Sequence, residues 1–134
     1  MAKYAYPAVF TKEEDGKYSV VFRDLEGCYT CGDNIEHAIE MSEDVLALVL
    51  YGYETDNREI PAPSEPQDIK INSNEFVNYI KCDTLEYRRM YSNKAVRKNV
   101  TLPEWLNEEA EGLKLNFSQV LQEALIQKVE SARF

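Results

Sequence analysis

A chain of 134 residues with an apolar fraction of 44% has the size and composition of one or two small globular domains, not of a disordered protein. No apolar run approaches the roughly 20 residues that span a bilayer, and charge together with Pro7 interrupts the N-terminus, which argues against a cleavable signal. The cysteine count of 3 is odd and fits reduced thiols, so we expect a cytoplasmic protein.

The net charge of −9 is unevenly distributed along the chain. Residues 1–92 hold 9 Lys/Arg against 18 Asp/Glu, whereas residues 93–134 hold 6 of each. This asymmetry indicates two parts with different partners. We expect a first domain over 1–83, a linker of uncertain structure over 84–94 and a second domain over 95–134.

Three strands and two turns are predicted at the N-terminus. "KYAYPAVFT", "KYSVVF" and "CYTCG" carry strand-forming residues, and "EEDGK" and "DLEG" between them are turns. Such tight connections imply an antiparallel meander. In the second strand, Val20 and Phe22 lie on one face and Val21 and Arg23 on the other.

An amphipathic helix of about five turns is predicted next, and a fourth strand after it. Asp33 is the predicted N-cap, Glu36 completes a capping-box pattern, and the helix is expected to end near Gly52. The proline-rich "IPAPSEP" forms a stiff connector, and "NEFVNYIKCD" then alternates as a strand. The N-terminal part therefore has the order β-β-β-α-β.

Cys28 and Cys31 have the spacing of a metal knuckle or a redox pair. On a strand, however, positions three apart point to opposite faces, whereas both kinds of site need the two sulfurs on one side. A zinc site that adds His37 and Cys82 would require breaking the strand. We therefore predict no metal site and no cofactor, and we expect Cys28 and Cys82 to be small buried apolar residues.

The C-terminal part predicts one alternating strand, "VRKNVTL", and two helices, "EWLNEEAEG" and "NFSQVLQEALIQKVESARF". Such a unit of about 35 residues cannot bury enough surface alone, and a second copy would pair the strands into a ribbon over four helices. Val96, Val100 and Leu102 would face the shared core. A two-stranded ribbon fits the DNA major groove, and its outward side chains would contact bases: Arg97, Asn99 and Thr101.

The start of the second helix offers backbone amides and a positive dipole end to a DNA phosphate. The residues placed there are Asn116, Phe117 and Ser118. The segment "NVTLPEWLNEEAEGLKLNFSQVLQEAL", within 95–130, resembles the ribbon-helix-helix fold of bacterial repressors. Lys98 departs from that resemblance by occupying an inward strand position, and we expect it to reach a phosphate from the ribbon's frayed end. The resemblance implies a homodimer on operator DNA, and two dimers on an inverted repeat would make a tetramer.

The N-terminal segment "YPAVFTKEEDGKYSVVFRDLEGCYTCGDNIEHAIEMSEDVLALVL", followed by "IPAPS", resembles the antitoxins of HicA–HicB toxin–antitoxin pairs. Arg23 and Glu26 stand where family members commonly have prolines. The resemblance implies an α+β protein with a partial ribonuclease H-like N-terminal domain and a small, basic, RNA-cleaving toxin as its partner. An acidic domain would attract such a toxin. Candidate contacts lie in the two turns: Glu13, Glu14, Asp15, Asp24 and Glu26.

Two alternatives remain open at this point. A ribonuclease H-like nuclease needs several convergent carboxylates for two metals, but Asp15, Asp24 and Asp33 fall in turns or at the helix cap and Asp83 alone is well placed. The other alternative is a ribbon-helix-helix repressor whose N-terminal domain senses a small ligand. We therefore expect a non-enzymatic antitoxin that masks its toxin and represses its own operon.

Overall fold

The computed structural model describes residues 2–92 and 94–133, and the chain divides into two compact units between Lys94 and Ala95. The N-terminal unit contains a sheet with a long helix, and the C-terminal unit contains two helices. Among the described residues, no helix is both long and apolar enough to cross a membrane.

A four-stranded antiparallel sheet organises the N-terminal unit. Its strands are β1 (Lys3–Lys12), β2 (Tyr18–Val21), β3 (Tyr29–Gly32) and β4 (Glu75–Asp83), in the order β3-β2-β1-β4. Helix α1 (Ile35–Thr55) lies between β3 and β4 in the chain. The predicted β-β-β-α-β order is thus confirmed. In β1, Val9 pairs with Val21 of β2 on one side and with Val77 of β4 on the other.

The long connector over 56–74 determines the direction of β4. Helix α1 ends beside the start of β1, where the Tyr4 hydroxyl donates to Glu54 at 3.2 Å. The connector then returns the chain to the other end of β1, where the Lys12 amide donates to the Asn74 carbonyl at 3.0 Å. β4 therefore runs antiparallel to β1, from Glu75 opposite Thr11 to Asp83 opposite Lys3.

One face of the sheet packs against α1. The core joins buried side chains from the strands and the helix: Tyr6, Ala8, Phe10, Val20, Phe22, Leu25, Cys28, Ala38, Leu46, Leu50 and Ile80. Val21 of β2 stays exposed on the other face, as the alternation predicted. Burial of these apolar side chains is the main source of stability in such a unit.

The cap of α1 differs from the prediction by one residue. Asn34, and not Asp33, is the N-cap, and its side chain accepts the His37 amide at 2.8 Å. The Asp33 amide instead donates to Nδ1 of His37 at 3.0 Å. Both residue types are good N-caps, so sequence alone does not separate neighbouring candidates. The helix also continues past Gly52, because apolar packing outweighs the small cost of one glycine.

A second helix, α2 (Thr84–Tyr91), occupies most of the segment predicted as a linker. Asp83 caps it by accepting the Leu85 amide at 3.0 Å and the Glu86 amide at 3.4 Å. Its Tyr87 ring lies 5.5 Å from the Tyr51 ring of α1. Helix α2 is therefore part of the N-terminal unit, held there by contacts that are distant in sequence.

The C-terminal unit contains the two predicted helices, α3 (Glu104–Gly112) and α4 (Phe117–Ala132). Between them Lys114 adopts a left-handed conformation with φ 56°, and the Leu115 amide donates to the Ala110 carbonyl at 3.2 Å. This hydrogen bond closes a Schellman turn. Glycine is the usual residue at the left-handed position that Lys114 occupies here. The strand predicted over 96–102 is not present: residues 94–103, all of them described, form neither helix nor strand.

Candidate partner and nucleic-acid interfaces

Asp24, a predicted toxin contact, joins the β2–β3 turn to the connector. Its carboxylate accepts hydrogen bonds from the Ser64 amide, at 2.9 Å, and from the Ser64 hydroxyl. The Tyr6 hydroxyl donates to the Pro61 carbonyl nearby, so the connector is fixed twice within four residues. Gly27 permits the turn by adopting φ 69°. The Asp-Leu turn and the Pro-Ala-Pro-Ser connector thus form one structural element.

Removing the Asp24 carboxylate should destabilise the N-terminal unit by about 2 kcal/mol, because two hydrogen bonds to a charged acceptor are lost. The measurement is urea unfolding of Asp24→Ala followed by circular dichroism. Glu26→Ala is the matched control, since Glu26 is exposed in the same turn, and it should change stability by less than about 0.5 kcal/mol. Equal midpoints for the two variants would contradict this role for Asp24.

The other predicted acidic contacts lie at two separate places. Glu13, Glu14 and Asp15 are exposed in the β1–β2 turn, where Glu13 accepts from the Ser19 hydroxyl at 2.9 Å and Asp15 from the Lys17 amide at 3.0 Å. Glu26 is exposed in the β2–β3 turn, at the opposite end of β2. The structure therefore does not bring all five acidic residues together, and their contact with a toxin stays a prediction.

The cysteines follow the prediction in part: Cys28 and Cys31 differ in burial as expected, but Cys28 directly precedes β3 and Cys82 is less buried than predicted. Cys28 is buried, Cys31 is exposed and Cys82 is half-buried. Burial raises the pKa of the Cys28 thiol to about 11, and burial, with a smaller contribution from Asp83, raises that of Cys82 to about 12. Within 2–92 and 94–133, no three His, Cys, Asp or Glu side chains are close enough together to hold a metal ion.

The predicted DNA-contacting residues are exposed in the C-terminal unit. Arg97, Asn99, Thr101 and Lys98 all lie in the segment 94–103. At the start of α4, the Asn116 side chain accepts the Gln119 amide at 3.1 Å, and Phe117 and Ser118 follow in the first turn. Asn116 is therefore the N-cap of α4, and the helix begins where the sequence predicted. Contact of these residues with DNA stays a prediction.

The apolar side chains of the C-terminal unit are exposed. Neither α3 nor α4 has a buried residue. At least 36% of the surface of each large apolar side chain is exposed, and these are Val96, Val100, Leu102, Trp105, Leu106, Leu113, Leu115, Phe117, Val120, Leu121, Leu125, Ile126 and Val129. So much apolar surface on one small unit marks an interaction surface.

The sequence profile of a family described as the HicB-like antitoxin of bacterial toxin–antitoxin systems matches residues 6–124. The chain belongs to the HicB-like antitoxin family. The family is one of antitoxins, which regulate and do not catalyse, in agreement with the prediction that this chain is not an enzyme.

Individual relatives agree with this membership. Antitoxin HicB 2 of Photorhabdus laumondii is 41% identical over 59 residues, which are 44% of this chain and 42% of that protein. This HicB-like chain thus matches less than half the length of that curated relative. Among solved structures, a chain of a toxin–antitoxin complex from Streptococcus pneumoniae is 25% identical with a TM-score of 0.61, and the alignment covers 94% of this chain and 99% of that one. The antitoxin HicB of Burkholderia pseudomallei shares the fold, with 15% identity, a TM-score of 0.53 and coverage of 93% and 98%.

Proposed function

We propose that this antitoxin masks a small, basic, RNA-cleaving HicA-like toxin with its N-terminal unit and represses its own operon with its C-terminal unit. The observation that carries the proposal is the contrast between the units. The N-terminal unit has a closed core and an acidic surface, whereas the helices of the C-terminal unit bury no residue and residues 93–134 carry equal numbers of both charges. Both the masking of the toxin and the repression of the operon would take place in the cytoplasm, where RNA and the operon are found.

Charge supports the role of the N-terminal unit. All of the net charge of −9 lies within residues 1–92, and an acidic surface accelerates and orients the binding of a basic partner. The order of the strands and α1 supports a partial ribonuclease H-like fold. The related chain from a toxin–antitoxin complex adds support for a protein partner.

Exposed apolar surface supports the role of the C-terminal unit. A second copy would cover the apolar side chains of α3 and α4 and would supply the missing neighbour for a strand over 96–102. The resulting ribbon would present Arg97, Asn99 and Thr101 to the major groove, with Lys98 and the start of α4 at phosphates. Two such dimers on an inverted repeat would give a tetramer.

The division of labour is tested by Arg97→Ala. Loss of a base-contacting arginine should weaken binding to a promoter fragment by about 1–3 kcal/mol, measured by fluorescence anisotropy at fixed salt. Lys128→Ala is the control, because it removes one positive charge from the exposed surface of α4, away from its N-terminus. Both variants should protect cells from the toxin encoded in the adjoining reading frame. If Arg97→Ala failed to protect cells, the two activities would not be separate.

A further inference from the structure

A groove that is open to solvent lies between α1 and α2 in the N-terminal unit. We infer that this groove is the docking site for the basic toxin and that it accepts an apolar side chain flanked by lysine or arginine. The inference rests on the proposed function, because it locates the toxin on this chain. It replaces the acidic turns as the centre of the interface.

The groove is apolar and open to solvent. It encloses about 350 Å³ and is lined by Thr30, Met41, Asp44, Val45, Leu48, Tyr87 and Tyr91. Leu48 is 53% exposed, although α1 buries Leu46 and Leu50 on its other side. A large apolar side chain on the polar face of a helix is well placed to be covered by a partner.

Aromatic rings form a preorganised wall along the groove. The Tyr87 and Tyr91 rings of α2 lie 4.8 Å apart, and Tyr87 lies 5.5 Å from Tyr51 of α1. Tyr91 remains 65% exposed at the end of this row. Tyrosine rings attract cations over their faces, and packed rings lose little side-chain entropy on binding.

The charge around the groove specifies the chemistry of the partner. Helix α1 contains no lysine or arginine, Asp44 lines the groove, and Glu40 and Glu43 are exposed on the same helix. Helix α2 contributes only tyrosines to the lining, and its Arg88 and Arg89 are not part of it. Asp44 also borders a second cavity, of about 430 Å³, in which four acidic side chains outnumber two lysines. Acidic residues around an apolar centre are complementary to a basic surface with an apolar residue in its middle.

The acidic turns lack this combination of features. Asp24 already accepts two hydrogen bonds from Ser64, and the β1–β2 turn borders a cavity lined mainly by polar side chains. Leu48 and Asp44, by contrast, lie one helical turn apart and line the same groove. Apolar contact and charge therefore coincide at the groove.

Two pairs of full-length variants test the inference, with a catalytically inactive form of the toxin from the adjoining reading frame as the probe and calorimetry as the readout. Asp44→Lys should weaken toxin binding at least 30-fold, whereas Asp15→Lys, the same change of charge in the β1–β2 turn, should weaken it less than 3-fold. Leu48→Glu should weaken binding at least 10-fold although it adds negative charge. Val21→Glu, at an apolar position of similar exposure on the other face of the sheet, should have less than a 3-fold effect. Thermal unfolding of each variant establishes that it is folded.

The outcomes separate the inference from the proposed function. If the unmodified chain does not bind the toxin, the proposed function fails and the inference fails with it. If the unmodified chain binds but Leu48→Glu binds equally well, the groove is not the docking site and the function stands. If Asp15→Lys has the larger effect, the interface lies at the turns. If Leu48→Glu no longer self-associates but binds the toxin with unchanged affinity, the groove is an interface between two copies of this chain and not the docking site of the toxin.

Discussion

Replacing Gly32 with alanine should destabilise the N-terminal unit by about 3 kcal/mol or more and abolish the proposed neutralisation of a toxin. A Cβ at this position would lie 2.3 Å from the Ala38 amide nitrogen, 2.5 Å from the Ala38 Cα and 2.8 Å from the His37 carbonyl carbon. All three are backbone atoms of the first turns of α1, so no side chain can rotate away. The start of the helix would have to separate from the end of β3.

Gly52→Ala is the matched control for this prediction. Gly52 lies within α1, where a Cβ would meet nothing within 4 Å, and alanine has the better helix propensity. This variant should be more stable than the unmodified chain by about 0.5–1 kcal/mol. Urea unfolding of both variants measures the difference. A Gly32→Ala protein within about 1 kcal/mol of the unmodified chain would show that the contact is easily relieved.

Val100→Asp should dissociate the proposed dimer. In one chain Val100 is 60% exposed, but in the ribbon its side chain would face the shared core of two chains. Burying a carboxylate there in both copies costs several kcal/mol, so we expect the dissociation constant to rise at least about 1,000-fold. Sedimentation equilibrium measures the change of mass, and promoter binding should be lost with it.

Thr101→Asp, at the neighbouring position, is the control for the dimer. Its side chain would point away from the core, so the variant should remain dimeric. It should nevertheless bind DNA more weakly, because it places a negative charge in the major groove of a polyanion. If Val100→Asp sedimented as the same species as the unmodified chain, the assignment of the two faces would be incorrect.

The elements of the N-terminal unit were largely predictable because their signals are local. Alternation identified β2 and β4, strand-forming residues between turns identified β1 and β3, and the three- and four-residue periodicity of apolar side chains identified α1. Asp83 and Gly32 show what local signals omit. Asp83 caps α2, a short helix whose packing depends on Tyr51 of α1. Gly32 allows the end of β3 to lie close to the first turns of α1. Neither contact has a periodic pattern in the sequence.

The candidate sites were less predictable, because they depend on contacts distant in sequence or on another chain. Asp24 resembled a free acidic residue, although its partner Ser64 lies 40 positions later. The groove requires α2, which the sequence did not predict. The strand over 96–102 has the alternation of a strand, but backbone pairing needs a neighbour that the chain itself does not supply.

Given the proposed function, the exposed apolar surface of α3 and α4 makes repression depend on the concentration of the protein. Two copies associate in a monomer–dimer equilibrium, so the dimeric fraction falls as the concentration of the chain falls. Masking of one toxin by one N-terminal unit needs no such pairing. A falling level of antitoxin would therefore lift repression before protection is lost, and fresh synthesis would restore the supply. Because the apolar core of the C-terminal unit is complete only in the dimer, repression would depend on the concentration of the antitoxin.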